Sequence, residues 1–479
     1  MIKFLFLFVG LLCQGCLLHP PYERPCMEIP DHWRITTDEA SSYANYQWWE
    51  QLNDPILNCL ILEALESNND LKVAIARVDT FYGNLLVANS PLYPQISGSG
   101  TYSRQRIPSG YSGIPAALIP PITNNYITII QASYEIDIWG KIRSGSEAAV
   151  AELLGSIEAR RVVVSTIVTA VAATYLQLRQ FDKQLDISKM TLKSRQESYQ
   201  LAYDRFVGGL TSELEAKQSE AEMESAAAQV IDYEITVAET ENLLSILVGH
   251  PPKAIERGLD LAAFVLPIDV PAGIPSQVLE QRPDILEAEQ NLIAANANIG
   301  VARANFFPNF SLTGLYGNES LKLHNLFTGP NVGWQYLVNV LQPIFTGWQL
   351  TGQLDIAEAQ KVEAYYAYQQ TVLNAFKEVD DALIANQKLR ELIVVETRRV
   401  DALVVALYLA NLQYDNGQVD YLNVLDAQRN LFAAQLDQAE AQGNALISLV
   451  NLYKALGGGW VIQADELAIE EGEEEDSAN

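Results

Sequence analysis

Residues 125–139 read NYITIIQASYEIDIW, in which Tyr126, Thr128, Ile130, Ala132, Tyr134, Ile136 and Ile138 alternate with a set that turns polar at Gln131, Ser133, Glu135 and Asp137. A period of two puts the first set on one face of a strand and the second on the other. Residues 332–340 repeat the pattern, with Val332, Trp334, Tyr336, Val338 and Val340 on one face and Gly333, Gln335 and Asn339 on the other. Segments 95–107 and 309–320 supply partners, and the intervening 108–124 and 321–331 are rich in Pro, Gly and Asn. Two β-hairpins follow. Strands of about ten to fourteen residues with one apolar face and aromatics near their ends fit a bilayer crossing, whereas sandwich strands are shorter.

Outward from the strands the period changes to that of helices. Only Gly155 interrupts the 61 residues 146–206, and the 64 residues 353–416 hold neither Gly nor Pro. Each such helix would run on the order of 90 Å. Each is followed by a turn bearing Gly208 and Gly209, or Gly417, and then by a second helical run of roughly 39 residues. The two helical hairpins are copies at an offset of 208, pairing Phe206 with Tyr414, Gly209 with Gly417, Leu214 with Leu422, Leu244 with Leu452 and Gly249 with Gly457. The chain is an internal duplication. Asp54-Pro55 and Arg282-Pro283-Asp284 open the copies alike, with Pro at a helix's first position, where its missing N–H costs nothing. The organisation expected is a signal peptide (1–15), an N-terminal extension (16–53), an opening helix (54–93), a β-hairpin (94–139) and a helical hairpin (146–249). A linker (250–275) leads to the second copy's opening helix (276–307), β-hairpin (308–346) and helical hairpin (353–457), and an acidic, disordered tail (461–479) ends the chain.

Membrane-crossing strands carry a forced consequence. Lipid tolerates no unpaired strand edge and four strands cannot close a barrel, so other copies must supply the rest. Two copies give eight strands, a barrel filled by its own side chains, and three give twelve, which leave a lumen. The helices would continue that barrel as a tube. Residues 162–178 are uncharged, but Ser165, Thr166, Thr169, Thr174 and Gln177 within a longer helical pattern read as a packed helix and not a membrane span.

The N-terminus runs from Lys3 through apolar residues 4–12 to Gly15 and Cys16, the layout of an export signal. A cysteine in that place resembles a bacterial lipobox, which makes Cys16 the expected lipid anchor, and Leu17 after it resembles outer-membrane sorting. Cys26 and Cys59 lack a disulfide framework around them, and no functional disulfide is expected. With 59 acids against 31 bases the formal net charge is −28, which argues against a nucleic-acid partner. Eight of the acids fall in the last fifteen residues, as on a solvated appendage.

RPDILEAE at 282–289, ANANIGVARANFFPNFSL at 295–312, YLNVLDAQR at 421–429 and LYKALGGGW at 452–460 resemble the outer membrane factor, or TolC-like, family, in its lipid-anchored multidrug-efflux branch. YEIDIWG at 134–140 and Gly209-Leu210-Thr211-Ser212 agree in the first copy. The resemblance implies a mixed α and β membrane protein: a homotrimer forming a twelve-stranded transmembrane β-barrel, four strands per chain, continued by a long periplasmic α-helical barrel. It implies an exit duct of a tripartite efflux system, with a periplasmic adaptor of the membrane-fusion type and an inner-membrane pump of the RND type as partners, in outer membrane lipid. Onto the periplasmic tip, where the adaptor docks, the resemblance carries Val207, Gly208, Gly209, Leu210, Thr211, Ser212, Asn416, Gly417 and Gln418. It carries Leu422 and Asp426, four residues apart and so on one helix face, onto the pore gate. Three copies of Asp426 would converge there and attract cations. Asn423 stands where some channels of the family have a second Asp, which weakens the expected cation block.

No enzyme signature survives its context. Gly110-Tyr111-Ser112-Gly113 lacks the last glycine of a nucleophile elbow, Gly457-Gly458-Gly459 has no following Lys-Ser/Thr, and His19, His32, His250 and His324 lack metal-ligand spacing. No catalytic residue, metal or cofactor is expected beyond diacylglycerol and an N-acyl chain on Cys16. A duct for type I protein secretion is the alternative, since its lumen would look similar. A coiled-coil spacer without a pore leaves the amphipathic strands unexplained.

Overall fold

Alternation along a strand becomes a surface only when neighbouring strands are in register. A computed structural model of the chain describes residues 17–30, 33–34, 47–106, 122–266, 275–457, 460–467 and 469. Helices α1 (Pro55–Ser67) and α2 (Asn69–Asn89) lead to strands β1 (Gln95–Arg106) and β2 (Ile122–Ile136), then to α3 (Lys141–Val207) and α4 (Glu213–Leu247). The second copy runs α5 (Pro275–Gln281), α6 (Pro283–Ala304), β3 (Asn309–Ser320), β4 (Val332–Leu341), α7 (Gln349–Asp415) and α8 (Tyr421–Leu456). A short helix α9, Trp460–Leu467, follows. Helices α3 and α7 are each 67 residues long, and both their ends lie at the offset of 208. Both start earlier than the sequence reading placed them. Gly145 and Gly352 lie inside the first turns, where a helix carries a glycine at about 1 kcal/mol.

The chain divides into two compact units that do not follow the duplication, because each draws on both copies. Over the described residues the first holds 17–26, Val78–Ser156 and Glu287–Tyr368. Its centre is one antiparallel sheet in the order β1-β2-β3-β4. Pairing Ile96 with Ala132, Ala132 with Gly314 and Gly314 with Tyr336 puts the even-numbered residues of all four strands on one face. That face carries rows such as Ile130–Tyr316–Trp334 and Tyr134–Leu312–Val338, with Tyr102 stacked on Tyr126 and Trp334 on Tyr336. The sheet's four charges segregate by sign: Arg104 and Arg106 are on this apolar face, Glu135 and Glu319 on the opposite, polar one. The glutamates accept hydrogen bonds from Asn309 (2.9 Å) and Asn125 (2.7 Å). Strand β2 stops at Ile136 because Asp137 turns to cap the next helix, accepting from the backbone N–H of Ile142 and Arg143 and from the Arg143 guanidinium. Residues 17–26 lie along α6, where Asn296 donates to Pro20 O, Arg303 to Leu18 O, and Tyr22 and Arg24 both bind Glu289.

The second unit holds, over its described residues, Met27–Arg77, Ile157–Leu286 and Gln369–Asn479. The apolar stretch of α3 packs here, with Val164, Val168, Val171, Ala172, Tyr175 and Leu176 fully buried. Helix α8 approaches α3 closely: a Cβ on Gly443 would collide with Gln180 Oε1. Each opening segment, read from sequence as one helix, is two. Asn68 breaks the first, and its side-chain oxygen caps α2 at Asp70 N and Leu71 N while its amide donates to Leu247 O. Arg282 breaks the second, reaching Ala455 O, Asp284 and Glu378. Part of the expected disordered tail is ordered: Val461 and Ala464 are buried beside Trp460, and the buried Asp465 accepts from Arg160 at 2.7 and 2.8 Å and from Arg161. Trp460 packs edge-on against Trp48 and Trp49, and Trp48 stacks on Tyr453 at 5.2 Å. Cys26 and Cys59 are free thiols. Cys16, residues 1–15, the end of the linker and residues 470–479 lie outside the described residues.

Asp54 holds the start of α1 to the linker. Its fully buried carboxylate accepts from Ile56 N, Leu57 N, Tyr175 OH (2.9 Å) and Leu259 N (2.9 Å), and the Tyr175 hydroxyl in turn accepts from Gly258 N. Removing the carboxylate strands several buried donors, whereas removing the hydroxyl strands one. Asp54→Ala therefore costs about 3 kcal/mol and Tyr175→Phe about 1 kcal/mol. Denaturant midpoints in detergent check this, and equal losses would mean that the carboxylate is not the centre of the knot.

Candidate functional site

The two turns that end α3 and α7 are built alike because a helix must satisfy its last carbonyls. Gly209 takes φ 71°, its N–H bonds Phe206 O (2.9 Å) and Leu210 N bonds Arg205 O (2.8 Å). Gly417 takes φ 71°, with Gly417 N on Tyr414 O (2.8 Å) and Gln418 N on Gln413 O (2.9 Å). Both are Schellman motifs, whose left-handed residue glycine fills without strain. Ser212 then caps α4 through Glu215 N. Val207 and Leu210 are largely exposed, at 68% and 76%. Gly208, Gly209, Asn416, Gly417 and Gln418 are exposed too, and Thr211 and Ser212 are respectively half-buried and exposed.

Leu422 and Asp426 lie in the first two turns of α8, both exposed and on one face. Asp426 is not a bare carboxylate. Arg429, one turn on, holds it at 3.2 Å and reaches Glu222 Oε1 of α4 at 3.0 Å. Glu222 in turn binds Arg195 of α3 at 3.1 Å. Arg195 lies over the Phe432 ring, and burial lowers its pKa against the opposing pull of Glu222. The chain Arg195–Glu222–Arg429–Asp426 thus ties three helices just beyond the turns.

A second tie joins the turns themselves. Tyr414, at the end of α7, donates its hydroxyl to Glu215, and Thr211 donates to the same carboxylate. Arg205 donates to the Tyr414 oxygen at 2.9 Å with its guanidinium over the ring. Burial first, and then the bond to Glu215, push the Tyr414 hydroxyl up to about 12. The equivalent of Tyr414 in the first copy is Phe206, so the duplication carries this hydroxyl once. Sequence reasoning placed the turns and the candidate gate pair but missed Arg205, Glu215, Tyr414, Arg195, Glu222 and Arg429. Arg429 was within reach, since it stands three residues after Asp426 in YLNVLDAQR.

A profile described as outer membrane efflux protein matches residues 60–250 and 274–458. The cation efflux system protein CusC of Escherichia coli strain CFT073 is 34% identical over 462 residues, 96% of this chain and 99% of that protein. The antibiotic efflux pump outer membrane protein ArpC of Pseudomonas putida is 36% identical over 465 residues, 95% of each. A crystal structure of a membrane protein from Pseudomonas aeruginosa superposes with a TM-score of 0.86 at 32% identity, covering 93% of this chain and 98% of that one. With two helical hairpins, two β-hairpins and both halves of the profile in place, the chain belongs to the outer membrane efflux protein family.

Proposed function

We propose that three copies of this chain close their sheets into a twelve-stranded barrel in the outer membrane, continued by their helices as a passive duct through which small molecules leave the cell. The carrying observation is the register of the sheet. It gathers most of the large apolar residues of four strands on one face and most of the polar ones on the other, yet among the described residues leaves β1 and β4 as unpaired edges. A bilayer accepts such a sheet only when further copies pair those edges. Arg104 and Arg106 lie on the apolar face at the end of the sheet remote from the helices, where the lipid headgroups would be and a cation on a lipid-facing strand costs little. Cys16 would carry the acyl anchor. Leu18, two residues on, meets Arg303 just before β3, which suits an anchor in the leaflet at the helix-side end of the strands.

At the other end, an adaptor would engage the exposed Val207, Leu210, Asn416, Gly417 and Gln418, and a pump behind it would drive export. Leu422 and Asp426 would narrow the pore at rest. The Arg205–Tyr414–Glu215 tie holds the second hairpin's turn to the first, so opening requires its rupture. CusC is named for cations and ArpC for antibiotics at nearly equal identity to this chain, which suits a duct that leaves substrate choice to the pump. The relatives favour efflux over protein secretion.

Four measurements test this reading. Purified trimer in a planar bilayer is nearly closed, and Leu422→Ala and Asp426→Ala raise its conductance. Failure of every variant to conduct, with trimer and insertion verified, sinks the duct. Tyr414→Phe removes a charge-assisted bond of about 1.5–3 kcal/mol, so openings become roughly ten- to a hundredfold more frequent. Arg429→Ala unscreens Asp426, and the reversal potential in a salt gradient shifts toward greater cation preference. Because the Tyr414 pKa lies above the ordinary value of 10.0 in the fold, the tie's contribution is whole below that pH and is lost as pH rises through about 12. Alkaline titration followed by phenolate absorbance shows a transition near that pH, missing from Tyr414→Phe.

A further inference from the structure

The two copies diverge where a strand hands over to a long helix. The residue before α3 is Gly140 with φ 70°, and the residue before α7, at the offset of 208, is Trp348 with φ 69°. Both copies need a left-handed residue there. Glycine takes that backbone freely, but a bulky L side chain crowds the following carbonyl. Such strain persists where the side chain obtains something in return, and function is the usual return. Among the described residues the indole of Trp348 makes no hydrogen bond or ring contact, and it is 79% exposed. Ile344 and Phe345, just ahead of it, are 96% and 84% exposed. In the first copy the aromatic stands one position earlier, opposite Gly347, and turns inward, where Trp139 stacks on Phe307 at 4.7 Å and donates to Pro308 O at 2.8 Å.

Three large apolar side chains within seven residues of irregular backbone make a projecting knuckle that the described residues leave uncovered. We propose that Trp348, with Ile344 and Phe345, is an interfacial anchor that seats in the headgroup boundary of the phospholipid leaflet at the helix-side end of the sheet. This rests on the membrane reading of the sheet given above. The knuckle continues the apolar surface of β4, whose Val338 and Val340 are exposed on the face proposed to meet lipid. It also stands at the level where the strands end and the helices begin, which is where a bilayer crossed by those strands must end. An indole suits that depth, with an apolar body and an N–H that binds headgroup oxygens. The cost of left-handed backbone at Trp348 is then offset by lipid, outside the chain.

The test is tryptophan fluorescence of the full-length trimer in phosphatidylcholine vesicles, taken as the difference between wild type and Trp348→Phe. The contribution of Trp348 is emptied by bromine-labelled lipid with a shallow label and barely touched by acrylamide in the water. Quenching by acrylamide alone overturns the anchor, and shielding from both quenchers overturns it in favour of a neighbouring copy as the cover. A parallel difference spectrum from Trp334→Phe, at the third position of β4 on the apolar face, separates the two levels of argument. If Trp334 escapes both shallow- and deep-labelled lipid, the membrane reading itself fails. If Trp334 is quenched and Trp348 is not, only the anchor fails. Trp348→Gly provides the conformational control: it melts no lower than wild type, because glycine relieves the left-handed strain, and a lower melting temperature would mean that the indole packs within the protein.

Discussion

A backbone N–H or C=O that enters hydrocarbon has no water to bond, so it must find its partner in protein. In the proposed barrel that constraint orders the first unit. The strands β1 to β4 satisfy one another through three antiparallel ladders, and among the described residues the two outer edges stay unpaired. Everything proposed about assembly follows from those edges. The side chains follow a similar division: most large apolar residues lie on one face, and the two carboxylates with most of the hydroxyls and amides lie on the other. A slip of one residue in any ladder would exchange the faces, which is why the register carries more information than the strands alone.

The second unit uses charge differently. Its buried ions hold segments far apart in sequence: Asp54 fastens the linker at Leu259, Asp465 fastens the last helix to Arg160, and Arg282 fastens its loop to Ala455. A buried charge left alone is costly, so each of these ions specifies its partners, whatever its net contribution to stability. Near the turns the same chemistry is more exposed and joins helix to helix through Arg205, Tyr414, Glu215 and the chain from Arg195 to Asp426. Contacts that are half-solvated can break and re-form at modest cost, which is what the resting closure proposed for the two hairpins would require.

Several features were legible because their signals are local. Alternation named the strands, the absence of Gly and Pro named the long helices, and Gly209 and Gly417 named turns that need positive φ. The misreadings have local causes as well. Asp465 was read as part of a solvated tail because acids crowd around it, although Trp460, Val461 and Ala464 already formed an apolar helical face. Asn68 passed for an ordinary helix residue, since nothing nearby announces that its amide will cap a new helix and reach Leu247. Trp348 carried no signal, because an aromatic just before a helix looks ordinary until its φ is known.

By itself the sequence determined the duplication, the kinds of element and their order, the apolar face of each strand, and the family, because these depend on neighbours along the chain. Only the tertiary structure decided which residues meet across it. Tyr414 and Glu215 are 199 positions apart, and Arg160 and Asp465 are 305 apart. No periodicity encodes such pairs, since they exist only once the helices have packed and the ladders have fixed one register out of several.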